Sequence, residues 1–144
     1  IKKGVTLNRL YNFHARHKFT LLSHCQPTYR RIGAVVASAN KENLNQVSSE
    51  YFDLLMSGLS KVATRKNNTN VLMHLQGYLK KSLQAEDKAE LRQCILDYNE
   101  GIEPIMSPLR LIKHHFKHHP NAYIADQSFL NPYPKQLGIR VKML

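Results

Sequence analysis

Acidic residues and cysteines are both scarce in this chain: 10 Asp and Glu stand against 21 Lys and Arg, and there are 2 cysteines in 144 residues. Cys25 and Cys94 lack CxxC spacing, which excludes a disulfide framework, a four-cysteine zinc site and an iron–sulfur cluster held by this chain alone. No apolar run approaches the roughly 18 to 20 residues that span a bilayer, so no membrane is expected among its partners. No charged-then-apolar leader opens the sequence, and the expected compartment is the cytoplasm. Asn67-Asn68-Thr69 matches a glycosylation sequon but reads, without a leader, as a loop and helix cap. A nucleophile elbow, a glycine-rich phosphate loop and paired carboxylates are also missing. No catalytic residue is therefore assigned, and no cofactor or metal is expected.

What is present is a chain able to fold. Apolar residues make up 42 %, too many for a disordered basic tail. A single domain over residues 1–144 would bury roughly two thirds of its unfolded surface.

The net charge of +11 is unevenly spread. Residues 1–41 carry Lys2, Lys3, Arg9, Arg16, Lys18, Arg30, Arg31 and Lys41 with no acid. Residues 54–85 carry Lys61, Arg65, Lys66, Lys80 and Lys81, again with no acid. Glu86, Asp87, Glu90, Asp97, Glu100 and Glu103 crowd the next stretch, opposed only by Lys88 and Arg92. Charge of one sign segregated in this way makes a directional field, and polyanions are its usual partners.

Helical spacing dominates the chain, with well-marked breaks. Thr6 caps an expected first helix running to about His24. Pro27 falls in the first turn of a second, to about Asn40. A third is expected over about 44–66, with Asn67-Asn68-Thr69 interrupting the pattern, and a fourth over about 70–83. A fifth covers about 86–100 and ends at Gly101. A sixth runs over about 105–119 and stops at Pro120, and a short seventh covers about 122–130. Asn131-Pro132-Tyr133-Pro134 forces an extended tail, and Gly138 to Val141 carries a weak strand signal. The expected fold is all-α, a single-domain irregular bundle of about six or seven helices with an extended C-terminal tail.

Projection at about 100° per residue places Leu7, Leu10, Tyr11, Leu21 and Leu22 on one face of the first helix. His14 lies in its middle, Lys18 beside it, His17 and His24 on its flank, and Arg9, Asn12, Arg16 and Ser23 opposite. A lysine within an apolar stripe is costly unless its amine reaches water or a partner. His14 and Lys18 either form part of the core or floor a polar pocket with His17 and Tyr78. On the fourth helix Val71, Leu72, Leu75, Tyr78 and Leu79 share the apolar face. Asn70, His74, Gly77 and Lys81 stack on one flank, where the bare glycine lets a ligand or another backbone approach. The sixth helix buries Ile105, Leu109, Ile112 and Phe116 and presents Arg110, His114, Lys117 and His118. His114/His118 and His115/His119 have the one-turn spacing of metal ligands, but no acid on that helix completes the set.

These same segments resemble a family. Phe13-His14-Ala15-Arg16-His17-Lys18, Leu22-Ser23-His24 and Tyr29 with Gly33 are similar to the opening of the YbgA-like domain. The likeness continues through Asn70-Val71-Leu72-Met73-His74-Leu75-Gln76-Gly77-Tyr78, Tyr98 with Gly101, Pro108-Leu109, and Gln127 to Pro134. It spans about 7–140. Such domains occur alone and fused behind a TudS-type desulfidase domain that removes sulfur from thiouracil-type bases. In fusions that look like tRNA thiouridine-removing proteins, the YbgA-like part would hold the tRNA. The resemblance thus implies an RNA-binding role beside a desulfidase domain in the same or another chain, and supplies no catalytic residue.

The residues and the resemblance converge on a helical domain that binds tRNA or another structured RNA. The expected contacts are Arg65, Lys66, Asn70, His74 and Lys81, with Lys18, Arg30 and Arg31, and Arg110 and Lys117 on the sixth helix. Two rivals remain: a nucleotide-directed enzyme using His14, His17 and His74, and a basic module that docks an acidic protein.

Overall fold

The computed structural model of the protein describes residues 6–131, all of whose regular structure is helical. Seven helices follow one another among them: α1 Leu7–His24, α2 Gln26–Ala37, α3 Leu44–Leu59, α4 Arg65–Gly77, α5 Ala85–Asn99, α6 Met106–His118 and α7 Ala122–Ala125. The expected extended tail and the weak strand at Gly138 to Val141 lie outside the described residues. The chain divides into two compact units, 1–67 and 68–144.

In the first unit α1 starts where Thr6 accepts a hydrogen bond from the Arg9 N–H at 3.1 Å, satisfying one of the orphan donors of a helix start. Helices α1, α2 and α3 pack on one another around Leu10, Leu21, Ile32, Val36, Val47, Tyr51 and Leu55. The approach is close at Gly58, where an added Cβ would lie 2.6 Å from Leu21 Cδ1 and 2.8 Å from Thr28 Cγ2. Tyr11 leaves the face assigned to it: the residue is 41 % exposed, and its hydroxyl donates to the Ala39 carbonyl at 3.5 Å. The far side of α1 is mixed: Arg9 and Asn12 are exposed and Arg16 is half-buried, whereas Phe19 and Ser23 are buried.

Helix ends moved where local hydrogen bonds compete with the helix. Beyond α2, Asn40 and Asn43 each donate a backbone N–H to the other's side-chain oxygen, at 2.7 and 2.9 Å, which closes a turn instead of a further helical one. Helix α3 stops at Leu59, not near Lys66. There the Ser60 hydroxyl donates to the Ser57 carbonyl, Lys61 O accepts from His24 Nδ1 at 2.7 Å, and Val62 is 83 % exposed. Thr64 then accepts from the Asn67 N–H at 3.0 Å and opens α4, so Asn67-Asn68-Thr69 is helix and not a loop.

In the second unit those polar residues tie α4 to α5. Asn68 Nδ2 donates to the Tyr98 hydroxyl at 3.2 Å and the Thr69 hydroxyl to Asn99 Oδ1 at 3.0 Å. Helix α4 ends at Gly77 instead of near Leu83, and tighter turns follow, with Tyr78, Leu79 and Lys80 each bonding three residues back. Leu79 and Leu83 remain buried there, with Val71, Leu72, Leu75, Leu91, Ile95 and Ile112. Tyr78 is exposed, contrary to its place on the expected apolar face, and its ring stacks on Tyr123 at 5.9 Å. Helix α5 closes as expected at Gly101, with φ 82°. The Gly101 N–H bonds Tyr98 O and the Ile102 N–H bonds Asp97 O, the paired bonds of a left-handed C-terminal cap. Helix α7 is one turn long. The chain then folds into turns held by Asn131 Nδ2 on the Ala125 carbonyl at 2.9 Å, with Gln127 and Ser128 buried.

Candidate nucleic-acid interface

Arg65 and Lys66 are exposed in the first turn of α4, which contains no acid. Backbone N–H groups at a helix start already carry about half a positive charge, so cations there add to it at a cost of about 0.3 to 1 kcal/mol each. At the end of α6 the situation is reversed. Its last turn carries His115, Lys117 and His118, where cations complement the negative helix end. Lys117 thus complements its helix end, whereas Arg65 and Lys66 oppose theirs.

The remaining expected contacts scatter. Arg30 and Arg31 are exposed on α2, His74 is exposed on α4 and Asn70 is half-buried. Lys81 lies beyond the end of α4, so the stripe Asn70–His74–Gly77–Lys81 is not one helix flank. An added Cβ at Gly77 would meet nothing within 4 Å, so no close helix contact explains that glycine. Arg110 and His114 line a groove of about 430 Å³ with Glu90, Cys94, Ser107 and Leu111. Arg110 therefore shares its recess with a carboxylate instead of standing on a purely basic face.

In the first unit His14 and His17 come together through aromatic neighbours. The Phe13 ring lies 4.4 Å from His17 and 6.1 Å from Tyr51, and His14 stands edge-on to Tyr51 at 5.7 Å. His14 Nδ1 is 3.4 Å from the Tyr51 hydroxyl. Burial, assisted by the Lys18 ammonium, lowers the His14 pKa from 6.5 to about 4, so the ring is neutral at pH 7. Burial pushes the pKa of the Tyr51 hydroxyl upward, so it stays protonated. Lys18 is half-buried, with Nζ 5.3 Å from the centre of the Phe19 ring, within cation–π range. Tyr78 belongs to the second unit.

His115, spaced one turn from His119, is buried at 7 % exposure. Burial lowers its proton affinity, with Asp87 acting in the opposite sense. Among the described residues no three His, Cys, Asp or Glu side chains group closely enough to hold a metal, and no helix is long and apolar enough to cross a membrane. The thiols differ: hydrogen bonding with the Thr28 side chain and backbone favours the Cys25 thiolate, whereas burial and then Glu103, Asp97 and Glu90 disfavour that of Cys94. Lys80, Lys88 and Arg92, none of them among the expected contacts, converge on one groove. A helical projection of α5 alone would have separated Lys88 and Arg92 from its acids.

An all-α protein with exposed cations is the class that the described residues define. Residues 18–134 match the family described as "Protein of unknown function (DUF1722)". The chain is also 33 % identical over 138 residues to "Uncharacterized protein YbgA" of Escherichia coli (strain K12), covering 95 % of this chain and 82 % of that protein. The chain belongs to this YbgA-like family. No solved structure matches it.

Proposed function

We propose that this chain is a cytoplasmic tRNA-binding protein that grips the phosphate backbone of tRNA or another structured RNA. It would serve thiouridine desulfidation beside a desulfidase domain, in the same or another chain, with no chemical step of its own. The observation that carries the reading is the placement of Arg65 and Lys66 at the positive end of α4, with no acid in that turn. Such a turn concentrates positive potential where phosphate oxygens can meet both side chains and helix N–H groups. Arg30 and Arg31, exposed on α2, supply further cations.

The test is tRNA binding by two charge-reversed variants at one salt concentration. Arg65→Glu/Lys66→Glu should weaken binding by roughly an order of magnitude or more, since each change removes a contact and adds repulsion. Arg110→Glu/Lys117→Glu should cost clearly less. Equal losses would mean that only net charge matters. A response that stays flat between about 50 and 200 mM salt would remove the polyanion reading altogether.

One observation favours a nucleotide-directed enzyme instead: His14 is neutral and sits beside the Tyr51 hydroxyl, as a general base would be. Chemical turnover of tRNA by this chain alone, lost in His14→Gln, would replace the binding reading.

A further inference from the structure

Helix α5 holds most of the acids of the second unit, yet its charges sort by face. At about 100° per residue, Lys88 and Arg92 lie within about 40° of each other, and Glu86, Asp87, Glu90 and Asp97 lie about 120 to 180° from the line midway between them. Lys88 and Arg92 line a groove of about 310 Å³ with Lys80, and no acid lines it. None of these three cations makes a side-chain hydrogen bond or ion pair among the described residues. The groove on the other side of α5 differs, because Glu90 stands there with Arg110 and His114.

The cationic groove also has an apolar wall, supplied by Met73, Leu79 and Leu83, the two leucines being buried and so fixed in place. Gln76 at the end of α4 donates to the Lys88 carbonyl at 3.4 Å, which ties the two walls together. Gly77 lines the same groove and faces open space where a side chain would stand. The volume is at the small end of ligand clefts, roughly 300 to 1,000 Å³. Several cations beside an apolar wall suit a ligand with a charged end and a flat, weakly polar end.

We infer that this groove binds a nucleoside monophosphate unit, with its phosphate against Lys80, Lys88 and Arg92 and its base on Met73, Leu79 and Leu83. Binding of a free nucleotide follows from the groove alone. Its use for one nucleotide of a bound RNA rests on the reading above.

The test follows amide resonances while the whole chain is titrated with UMP, uridine or inorganic phosphate at millimolar concentration. UMP should shift Gly77, Lys80 and Lys88 and their neighbours, and both uridine and phosphate should bind at least several-fold more weakly. Lys88→Ala/Arg92→Ala should weaken UMP binding about tenfold or more. Gly77→Leu, which fills the groove without removing charge, should do the same with unchanged circular dichroism. Absence of UMP shifts at the groove, identical shifts in both variants, or phosphate binding as tightly as UMP would overturn the inference. The two readings fail separately. If tRNA binds wild type and both variants equally and UMP does not bind, the groove is refuted and RNA binding stands. If UMP binds the groove and tRNA does not bind the chain, the RNA reading falls alone.

Discussion

Acidification should weaken the first unit through one ring. His14 has a pKa of about 4 in the fold against 6.5 in an open chain, so between those values the unfolded state holds more protons. Stability is therefore complete above about pH 6.5, falls as pH drops towards 4, and then stops falling on this account. At pH 5 the linkage amounts to about 2 kcal/mol for a fully enclosed ring. His14 is only half-buried, and solvent screening brings the expected figure nearer to about 1 kcal/mol. His14→Gln removes the titration and keeps a polar group near the Tyr51 hydroxyl. Urea unfolding of wild type and variant at pH 7 and pH 5 isolates the effect, because His115 and every other titrating group are common to both. Wild type should lose about 1 kcal/mol more than His14→Gln over that interval, and the His14 ring resonances should still be those of neutral imidazole at pH 5.5. A His14 midpoint near 6.5, or equal losses in the two proteins, would refute the burial argument.

Lys18→Met should raise the His14 midpoint, since the ammonium is the second cause holding it down; an unmoved midpoint would leave burial as the sole cause. Gly58→Ala should destabilise the chain by about 1 to 3 kcal/mol in urea unfolding, because the new methyl would press on buried Leu21 and on Thr28. Below neutral pH, iodoacetamide should modify Cys25 several-fold faster than Cys94, whose thiolate is disfavoured by burial and three carboxylates. Thr28→Val should narrow that gap, and equal rates in the wild type would contradict it.

Much of the fold was legible because its signals act within one turn. Thr6 caps α1 with its own hydroxyl, Pro27 sits in the first turn of α2, and Gly101 takes the left-handed backbone that closes α5. Each depends on neighbours three or four residues away, so no knowledge of the rest of the chain was needed. Asn68 and Thr69 went the other way. Taken alone their side chains favour a loop, but partners on α5 thirty residues later accept those hydrogen bonds and keep the backbone helical. Gly58 carries no local mark of its closeness to Leu21 and Thr28, because that distance exists only once three helices have packed. Charge followed the same division. The count along the chain shows where cations and acids occur, and by it the stretch from Glu86 to Glu103 is acidic. Only the winding of α5 and the turn after α4 bring Lys80, Lys88 and Arg92 to one groove. A side chain's type and spacing are written in the chain, but the charge that shares its space is set by packing, which depends on every element at once.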